Sequence, residues 1–228
     1  MATFLRAEVM EQMEGSGLVP LYYNPDPEIM KRVIESCYEG GSRIFEFTNR
    51  GDGAHRLFAE LIKFTSQKFP DLILGVGTVL ESVTAGVYIQ LGSNFVISPI
   101  LEEQTGQICN RRKVLWMPGC ATFTEISNAE ALGAEVIKVF PANLLGGPAF
   151  IKSITGPCPW IKLMPSGGVV PTLENLKPWF ESGASCVGMG SNLITKEIIK
   201  TKDYGGLKNT VTDVLDIIKG VKKGSDQL

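Results

Sequence analysis

One lysine stands in the middle of an apolar segment. The stretch GAEVIKVFPANLLGG spans residues 133–147, and the residues around Lys138 predict a buried strand that ends at Pro141. A fully buried lysine is rare, because its ammonium group loses its hydration, so such a residue usually has a partner or a chemical use. Burial disfavours the charged form and leaves a free amine that can attack a ketone to form a Schiff base. Lys138 is therefore the candidate nucleophile.

A glutamate occupies a similar position in the segment RIFEFTNRG, residues 43–51. Strict alternation along a strand places Phe45 and Phe47 on one face, toward the helices, and Glu46 on the other. The same parity turns Lys138 inward, so both charged side chains project into one interior, with Arg50 two residues beyond the strand end. A carboxylate there can transfer the protons that Schiff-base chemistry needs. From these residues alone, the alternative is a buried ion pair that only fixes packing.

Small and polar residues follow several other predicted strands. GVGTV ends one strand with Thr78 beside two glycines, and ISPI ends the next with Pro99. MPSGGVVP and VGMGSNL end the last two strands as glycine-rich turns that each carry a serine. Small residues leave backbone N–H groups accessible, and a following helix adds partial positive charge. The two turns therefore predict a binding site for phosphate or another anion.

The elements that must position these residues alternate along the chain. The predicted strands are Leu18–Tyr23, Arg43–Thr48, Leu72–Val76, Phe95–Ser98, Val114–Met117, Glu135–Phe140, Ile161–Met164 and Ser185–Met189. The predicted helices are Pro27–Tyr38, Ala54–Phe69, Ser82–Leu91, Glu102–Arg112, Thr124–Leu132, Pro148–Ile154, Leu173–Ser182, Asn192–Lys200 and Tyr204–Lys219. Because parallel neighbours need a crossover, this alternation predicts a parallel sheet.

The number of strand–helix units predicts the fold. We expect an α/β protein of the (β/α)8 TIM-barrel class, since such barrels need roughly 200 to 250 residues. The chain is expected to form a single domain, residues 1–228, with the barrel at about 18–219, an N-terminal helix at 1–16 and a polar tail at 220–228. The alternative is an open doubly wound sheet. In a barrel, the residues named above all fall at the C-terminal ends of the strands, where active sites form.

Composition restricts the possible partners. The 228 residues carry a net charge of −2 and no long apolar run, so we expect neither a nucleic-acid nor a membrane partner. The five scattered cysteines and the single histidine, His55, form no metal-ligating pattern, and no metal or other cofactor is expected. The start, MATFLRAEVMEQMEGSG, is acidic where a signal peptide is apolar, which favours a cytoplasmic location.

Seven short motifs match one enzyme family. EFTNR, GVGTV, FVISP, MPG, IKVFPA, MPSGG and VGMGS occur in the order and spacing found in 2-keto-3-deoxy-6-phosphogluconate (KDPG) and 4-hydroxy-2-oxoglutarate (KHG) aldolases. The chain resembles this family nearly end to end. The resemblance implies a metal-free class I aldolase that acts on a small keto acid. It would cleave KDPG, its galactonate epimer or KHG to pyruvate and an aldehyde, which is glyceraldehyde 3-phosphate or glyoxylate. Family members are commonly homotrimers, so a homotrimer is expected.

Matching positions imply a role for each site residue. Lys138 corresponds to the Schiff-base lysine and Glu46 to the general acid and base. The resemblance places Arg50, Thr78, Pro99 and Phe140 at the pyruvate end, and Ser166, Gly167, Gly168, Gly190 and Ser191 around the phosphate. The chain departs from the usual pattern at Asn49, Ile100, Ser166 and Asn192, which leaves the identity of the sugar open.

Two other functions fit part of the pattern. A phosphate-binding barrel isomerase or synthase would share the two glycine turns, but metal-dependent epimerases need clustered histidines and aspartates, and this chain has one histidine. A non-catalytic barrel that binds a sugar phosphate would keep the fold without needing Lys138, Glu46 and Arg50, which are all present. The aldolase is therefore the predicted function.

Overall fold

The computed structural model describes residues 2–225 and has an α/β fold built on parallel strands. The strands are β1 Leu18–Tyr22, β2 Ile44–Thr48, β3 Ile73–Gly77, β4 Phe95–Ile97, β5 Leu115–Met117, β6 Gly119–Cys120, β7 Ile137–Val139, β8 Leu163–Pro165 and β9 Val187–Met189. They form one sheet in the order β5-β4-β3-β2-β1-β9 and a second in the order β6-β7-β8. Isolated parallel bridges, Leu163 to Ala184 and Ser166 to Gly188, join β8 to the segment of β9. The predicted α/β class and parallel pairing are confirmed.

The fifth predicted strand is divided in two. Pro118 lies between β5 and β6 and lacks the N–H group that would continue the ladder. β5 pairs with β4, whereas β6 pairs with β7, and the Pro118 carbonyl accepts a hydrogen bond from the Lys138 backbone N–H at 2.9 Å. The segment therefore passes from one sheet to the other at the proline.

The helices follow most strands closely. They are α1 Arg6–Ser16, α2 Pro27–Glu39, α3 Ala54–Lys68, α4 Ser82–Leu91, α5 Glu103–Arg112, α6 Phe123–Ala131, α7 Pro148–Thr155, α8 Leu173–Glu181, α9 Lys196–Thr201 and α10 Tyr204–Ser225. From α2 to α8 the predicted bounds are correct to within one residue at each end. None of the helices within residues 2–225 is long and apolar enough to cross a bilayer.

Three predicted boundaries at the chain ends need correction. The first helix begins at Arg6 rather than at residue 1, because the Glu8 carboxylate accepts a hydrogen bond from the Leu5 N–H and caps it there. The last helix continues through 220–225, which were expected to be a polar tail, because Val221 extends the apolar stripe of the helix. Residues 226–228 lie outside the described part. The helix expected at Asn192–Lys200 begins only at Lys196.

Apolar residues pack in two groups, inside the strands and between strands and helices. The inner group contains Ile44 and Val136, together with Val9 and Met13 from α1. The outer group contains the two phenylalanines of β2, and also the isoleucine and the valine that flank Lys138 in β7. The predicted parity of β2 and β7 is thus confirmed, and Glu46 and Lys138 share the inner face.

Helix α1 covers one end of this inner group. The Thr3 N–H donates to Asn94 just before β4, and Arg6 donates to the Val114 carbonyl just before β5. Both partners precede their strands, so α1 lies at the N-terminal ends of the strands. The opposite, C-terminal ends carry the predicted polar site.

Candidate active site

Glu46 lies in the centre of β2 and is 1% exposed. Gly77, on the neighbouring strand β3, makes room for it, since a Cβ at Gly77 would lie 1.6 Å from Glu46 Oε1. The Glu46 Oε2 atom is buried and has no hydrogen-bond partner within residues 2–225. Burial raises the pKa of the Glu46 carboxyl, against the opposing charges of Lys138 and Arg50.

Lys138 lies in the centre of β7 and is 6% exposed. Its Nζ is 4.8 Å from the centroid of the Phe140 ring, which stands at the end of the same strand. Burial lowers the pKa of the Lys138 amine, and the positive charge of Arg50 lowers it further, while the charge of Glu46 acts in the opposite direction. The site therefore favours the uncharged amine, which is the nucleophilic form.

The two charged residues do not form the structural ion pair that was the alternative interpretation. Within the described residues, neither the Glu46 carboxylate nor the Lys138 amine has an ion pair or a hydrogen bond. They interact through space, each opposing the effect of burial on the other. Both groups are therefore free to bind a ligand and to exchange protons.

The ends of β3 and β4 each carry an unusual feature. Thr78 has φ of 60°, in the left-handed region, which is uncommon for a β-branched residue. Pro99 is in close contact with β6, since a Cβ at Gly119 would lie 2.3 Å from the Pro99 carbonyl carbon. Ser98 Oγ is buried and has no hydrogen-bond partner among residues 2–225. Strained backbone and an unsatisfied hydroxyl often occur at functional sites.

A cavity of 380 Å³ opens at the C-terminal ends of the strands. It brings together most of the predicted binding residues, namely Arg50, Phe140, Ser166, Gly167, Gly168, Gly190 and Ser191. Glu46, Thr78, Pro99 and Lys138 do not line it, although Lys138 adjoins it through the Phe140 ring. A larger cavity of 980 Å³ lies between α8 and α10 and contains none of the predicted residues.

Each glycine turn beside this cavity leaves a backbone donor free. Gly167 and Gly168 have φ of 92° and 77°, which glycine adopts without strain. The N–H groups of Gly168 and Ser191 donate to no acceptor within the described residues. The Ser166 and Gly167 carbonyls instead accept from the N–H groups of Ala142 and Asn143. Free N–H groups that converge on a cavity suit an anion.

Several residues of the cavity were missed by sequence reasoning. Tyr22 and Tyr23, at the end of β1, line it, as do Asn192, Ile194 and Lys196. The two tyrosines carried a usable signal, because they stand at the C-terminal end of a strand like the other predicted residues. Lys196 had no such signal, since it lies several residues beyond the glycine turn, where the strand pattern has ended.

The departures from the family pattern have partners in the structure. Asn49 Oδ1 accepts a hydrogen bond from the Tyr88 hydroxyl at 2.8 Å, and the Asn49 backbone N–H donates to the Gly77 carbonyl at 2.8 Å. Asn192 Nδ2 donates to the Val169 carbonyl at 2.8 Å. Ile100 is exposed and does not line the cavity. Asn49 therefore fixes the backbone beside Arg50, and Asn192 joins the two glycine turns.

Metal-ligating residues are not clustered in this region. Within residues 2–225 no group of three or more histidine, cysteine, aspartate or glutamate side chains could hold a metal ion. The single histidine, His55, is exposed on α3.

Comparisons with known proteins agree on one family. A family model described as KDPG and KHG aldolase matches residues 9–210. A 2-dehydro-3-deoxy-phosphogluconate aldolase of Pseudomonas aeruginosa is 33% identical over 185 residues, 81% of each chain. One from Haemophilus influenzae is 24% identical over 217 residues, 95% of this chain and 100% of its own. A crystal structure of KDPG aldolase from Legionella pneumophila holds pyruvate captured at low pH as a covalent carbinolamine intermediate. It is 25% identical, with a TM-score of 0.79, and the match covers 90% of this chain and 97% of that one.

Proposed function

Because this chain belongs to the family of KDPG and KHG aldolases, we propose that it is a class I aldolase that cleaves KDPG or a close relative. The products are pyruvate and an aldehyde, glyceraldehyde 3-phosphate in the case of KDPG. The observation that carries the proposal is Lys138, a buried lysine whose amine has no hydrogen-bond or ion-pair partner within residues 2–225 and lies beside a cavity at the C-terminal ends of the strands.

Lys138 acts as the nucleophile. Its uncharged amine adds to the C2 ketone of the substrate to give a carbinolamine, which loses water to form an iminium ion. The iminium accepts the electron pair of the C3–C4 bond as that bond breaks, and the products are the aldehyde and the enamine of pyruvate. Protonation of the enamine at C3 and hydrolysis of the iminium release pyruvate and the free lysine.

Glu46 transfers the protons of this sequence. Its carboxylate removes the proton from the C4 hydroxyl as the C3–C4 bond breaks, and it returns a proton to C3 of the enamine. A carboxyl group whose pKa is raised by burial suits both steps, because it can still hold a proton at a pH where an exposed carboxyl group has lost it. The lack of a hydrogen-bond partner for Oε2 within residues 2–225 leaves that atom available to the substrate.

The remaining site residues bind the two ends of the substrate. Arg50 and Thr78 bind the carboxylate next to the ketone, and Pro99 and Phe140 enclose the pyruvate carbon atoms. The phosphate binds to the backbone N–H groups of the glycine turns, with the hydroxyls of Ser166 and Ser191 as further donors. This assignment is supported by the free N–H groups and by the position of Arg50 in the same cavity.

We also infer that the strands close into a (β/α)8 barrel that forms a single domain. β1, the first strand, pairs with β9, the last. The two sheets separate between β5 and β6, but these two strands belong to one continuous segment in which only Pro118 stands between them. The bridges between β8 and the β9 segment support closure on the other side. A barrel would bring Glu46 on β2 and Lys138 on β7 to face each other across its interior.

Exposed apolar side chains support self-association, and we propose the homotrimer expected of the family. Val83 and Val87 are exposed on α4, and Phe123 and Trp160 line one surface cavity. Large contiguous apolar patches are uncommon on a monomer, and these side chains are candidates for such a surface. Light scattering after size-exclusion chromatography tests this, and a mass near 24.8 kDa at all concentrations would contradict it.

The cytoplasmic location stays a prediction.

Trapping with borohydride tests the proposed nucleophile. Treatment with pyruvate and borohydride should add one reduced pyruvate at Lys138, detected by peptide mass spectrometry, and Lys138→Ala should abolish both the adduct and KDPG cleavage. Lys152→Ala, at an exposed lysine of α7, is the matched control and should behave like the wild-type protein. A folded Lys138→Ala variant that keeps wild-type turnover would refute the role of Lys138.

A further inference from the structure

The cavity beside the glycine turns contains a cation for which the proposed reaction gives no role. Lys196 lines this cavity together with Ser191 and Asn192. Among the described residues that line it, Arg50 and Lys196 are the charged ones, and none is an aspartate or a glutamate. The cavity therefore carries positive charge from two separate segments, one after β2 and one after β9, and suits a ligand with two anionic groups.

The backbone of Lys196 is fixed by the residues before it. The turn after β9 is closed by hydrogen bonds from the Leu193 and Ile194 N–H groups to the Gly190 carbonyl, both at 2.9 Å. Leu193 and Ile194 are buried in the outer core, which anchors the turn. Thr195 then caps α9 by accepting from the Ile198 N–H at 3.2 Å, so the helix begins at Lys196. The lysine is thus held beside the glycine turn.

The side chain of Lys196 is exposed, and within residues 2–225 it has neither a hydrogen bond nor an ion pair. Its charge is available to a ligand in the cavity. The backbone N–H groups of the glycine turns donate hydrogen bonds but carry no net charge, whereas a phosphate monoester carries about −1.5 to −2 near neutral pH. A lysine beside the turns supplies the charge that they lack.

We propose that Lys196 is a specificity-determining residue that favours keto acids with a terminal phosphate. The inference rests on the proposed aldolase function and extends it to the substrate. KDPG has a carboxylate for Arg50 at one end and a phosphate for Lys196 at the other. Its unphosphorylated counterpart, 2-keto-3-deoxygluconate, has the same carbon chain without the second anion, and KHG is too short to place its second carboxylate at the same distance.

Steady-state kinetics with this matched pair of substrates test the proposal. Lys196→Met should lower kcat/KM for KDPG by about 5- to 20-fold, mainly through KM, because an exposed charged contact to phosphate is of modest strength. The same variant should leave kcat/KM for 2-keto-3-deoxygluconate within about 2-fold, because no phosphate contact is lost. Lys196→Arg should retain the preference for KDPG. The matched control is Lys200→Met, one turn along α9 and outside the cavity lining, which should match the wild-type protein.

The outcomes separate this proposal from the proposed function. An equal loss with both substrates in Lys196→Met, or no loss with either, would overturn the role of Lys196. If the wild-type protein cleaves neither substrate, the aldolase function fails instead. Calorimetric titration with inorganic phosphate then still tests whether Lys196 binds a phosphate. Weaker phosphate binding by Lys196→Met than by the wild-type protein and Lys200→Met supports this role, and equal binding overturns it.

Discussion

Substitution of Gly77 by alanine should inactivate the enzyme by displacing Glu46, although Gly77 itself has no side chain to take part in the reaction. Gly77 ends β3 and faces the Glu46 carboxylate on β2. It does not belong to the described glycines with positive φ, so alanine can adopt this backbone conformation without strain. The effect of Gly77→Ala must therefore come from the added methyl group.

The size of the displacement follows from the structure. The new Cβ would lie 1.6 Å from Glu46 Oε1 and 2.3 Å from Glu46 Cδ. Non-bonded heavy atoms need roughly 3.5 Å, so the carboxyl group must move by about 2 Å. A misplacement of about 1 Å can already cost about 100-fold in rate, so kcat for KDPG cleavage should fall by at least about 100-fold. The loss of stability should be about 1 to 3 kcal/mol, as for other overpacked cores.

The assay combines turnover with trapping. Gly77→Ala should keep the borohydride adduct with pyruvate, since Lys138 is untouched, while cleavage and proton exchange at the pyruvate methyl group slow together. Gly75→Ala is the matched control on the same strand, because its Cβ would lie 2.4 Å from the Phe95 ring. It should lose similar stability without the loss of turnover.

Two results would refute this reasoning. One is a folded Gly77→Ala protein with more than about a third of wild-type kcat, which would mean that the position of the carboxylate does not matter. The other comes from a double-mutant cycle with Glu46→Ala. Once the carboxylate is absent, the methyl group at Gly77 has nothing catalytic to displace, so additive losses of activity would refute the proposed link.

Three further predictions concern the same end of the strands. Because burial raises the pKa of the Glu46 carboxyl, the stability that this group contributes is present below its ordinary pKa of 4.5 and is lost as pH rises toward the folded-state pKa. Urea unfolding should therefore show the wild-type protein losing stability relative to Glu46→Gln as pH rises above 4.5, and parallel pH profiles would contradict this. Thr78→Asn places a residue that tolerates the left-handed region at φ of 60°, so thermal unfolding should show equal or slightly higher stability, by up to about 1 kcal/mol. Adduct titration should show weaker pyruvate binding in this variant, and a clearly less stable protein would argue against strain at Thr78. Tyr88→Phe removes the 2.8 Å hydrogen bond to Asn49 and should cost about 1 kcal/mol in chemical denaturation. It should also lower kcat/KM severalfold through the neighbouring Arg50, and unchanged kinetics would mean that Asn49 does not position Arg50.

The fold was predictable because its periodic signals are local. Alternation along β2 and β7 correctly placed Glu46 and Lys138 on the inner face, and glycine after helices correctly marked most boundaries. The break at Pro118 was not predicted, because a two-residue strand has no periodicity to detect. The extension of α10 to Ser225 was missed because Val221 is one apolar residue among lysines and glycines. Its packing on the core, and the hydrogen bonds from Lys222 to the Glu14 and Ser185 carbonyls, are contacts with residues far away in sequence.

The site was predictable where a residue is unusual for its element and unpredictable where its role comes from a distant partner. Lys138 stands out in an apolar strand. By contrast, position 77 needs a glycine because the Glu46 carboxylate of another strand fills the space beside it. Asn49 is held by a hydrogen bond from a hydroxyl on α4. Contacts of this kind join residues far apart in sequence, so no pattern within one segment indicates them. Lys196 belongs to the same class, since only the folded turn after β9 brings it to the cavity.

The charges around Lys138 explain why burial, and not an ion pair, governs the site. Attraction between Glu46 and Lys138 alone would favour carboxylate and ammonium, but burial has the larger effect on each and drives both toward their uncharged forms. The Arg50 charge lowers the pKa of both groups, but the consequence differs because one group is a base and the other an acid. On the amine it adds to burial and favours the nucleophile, whereas on the carboxyl it opposes burial and keeps proton release possible. A substitution that admits water to Lys138 should therefore restore its ordinary pKa and slow adduct formation near neutral pH, even when Lys138, Glu46 and Arg50 are all retained.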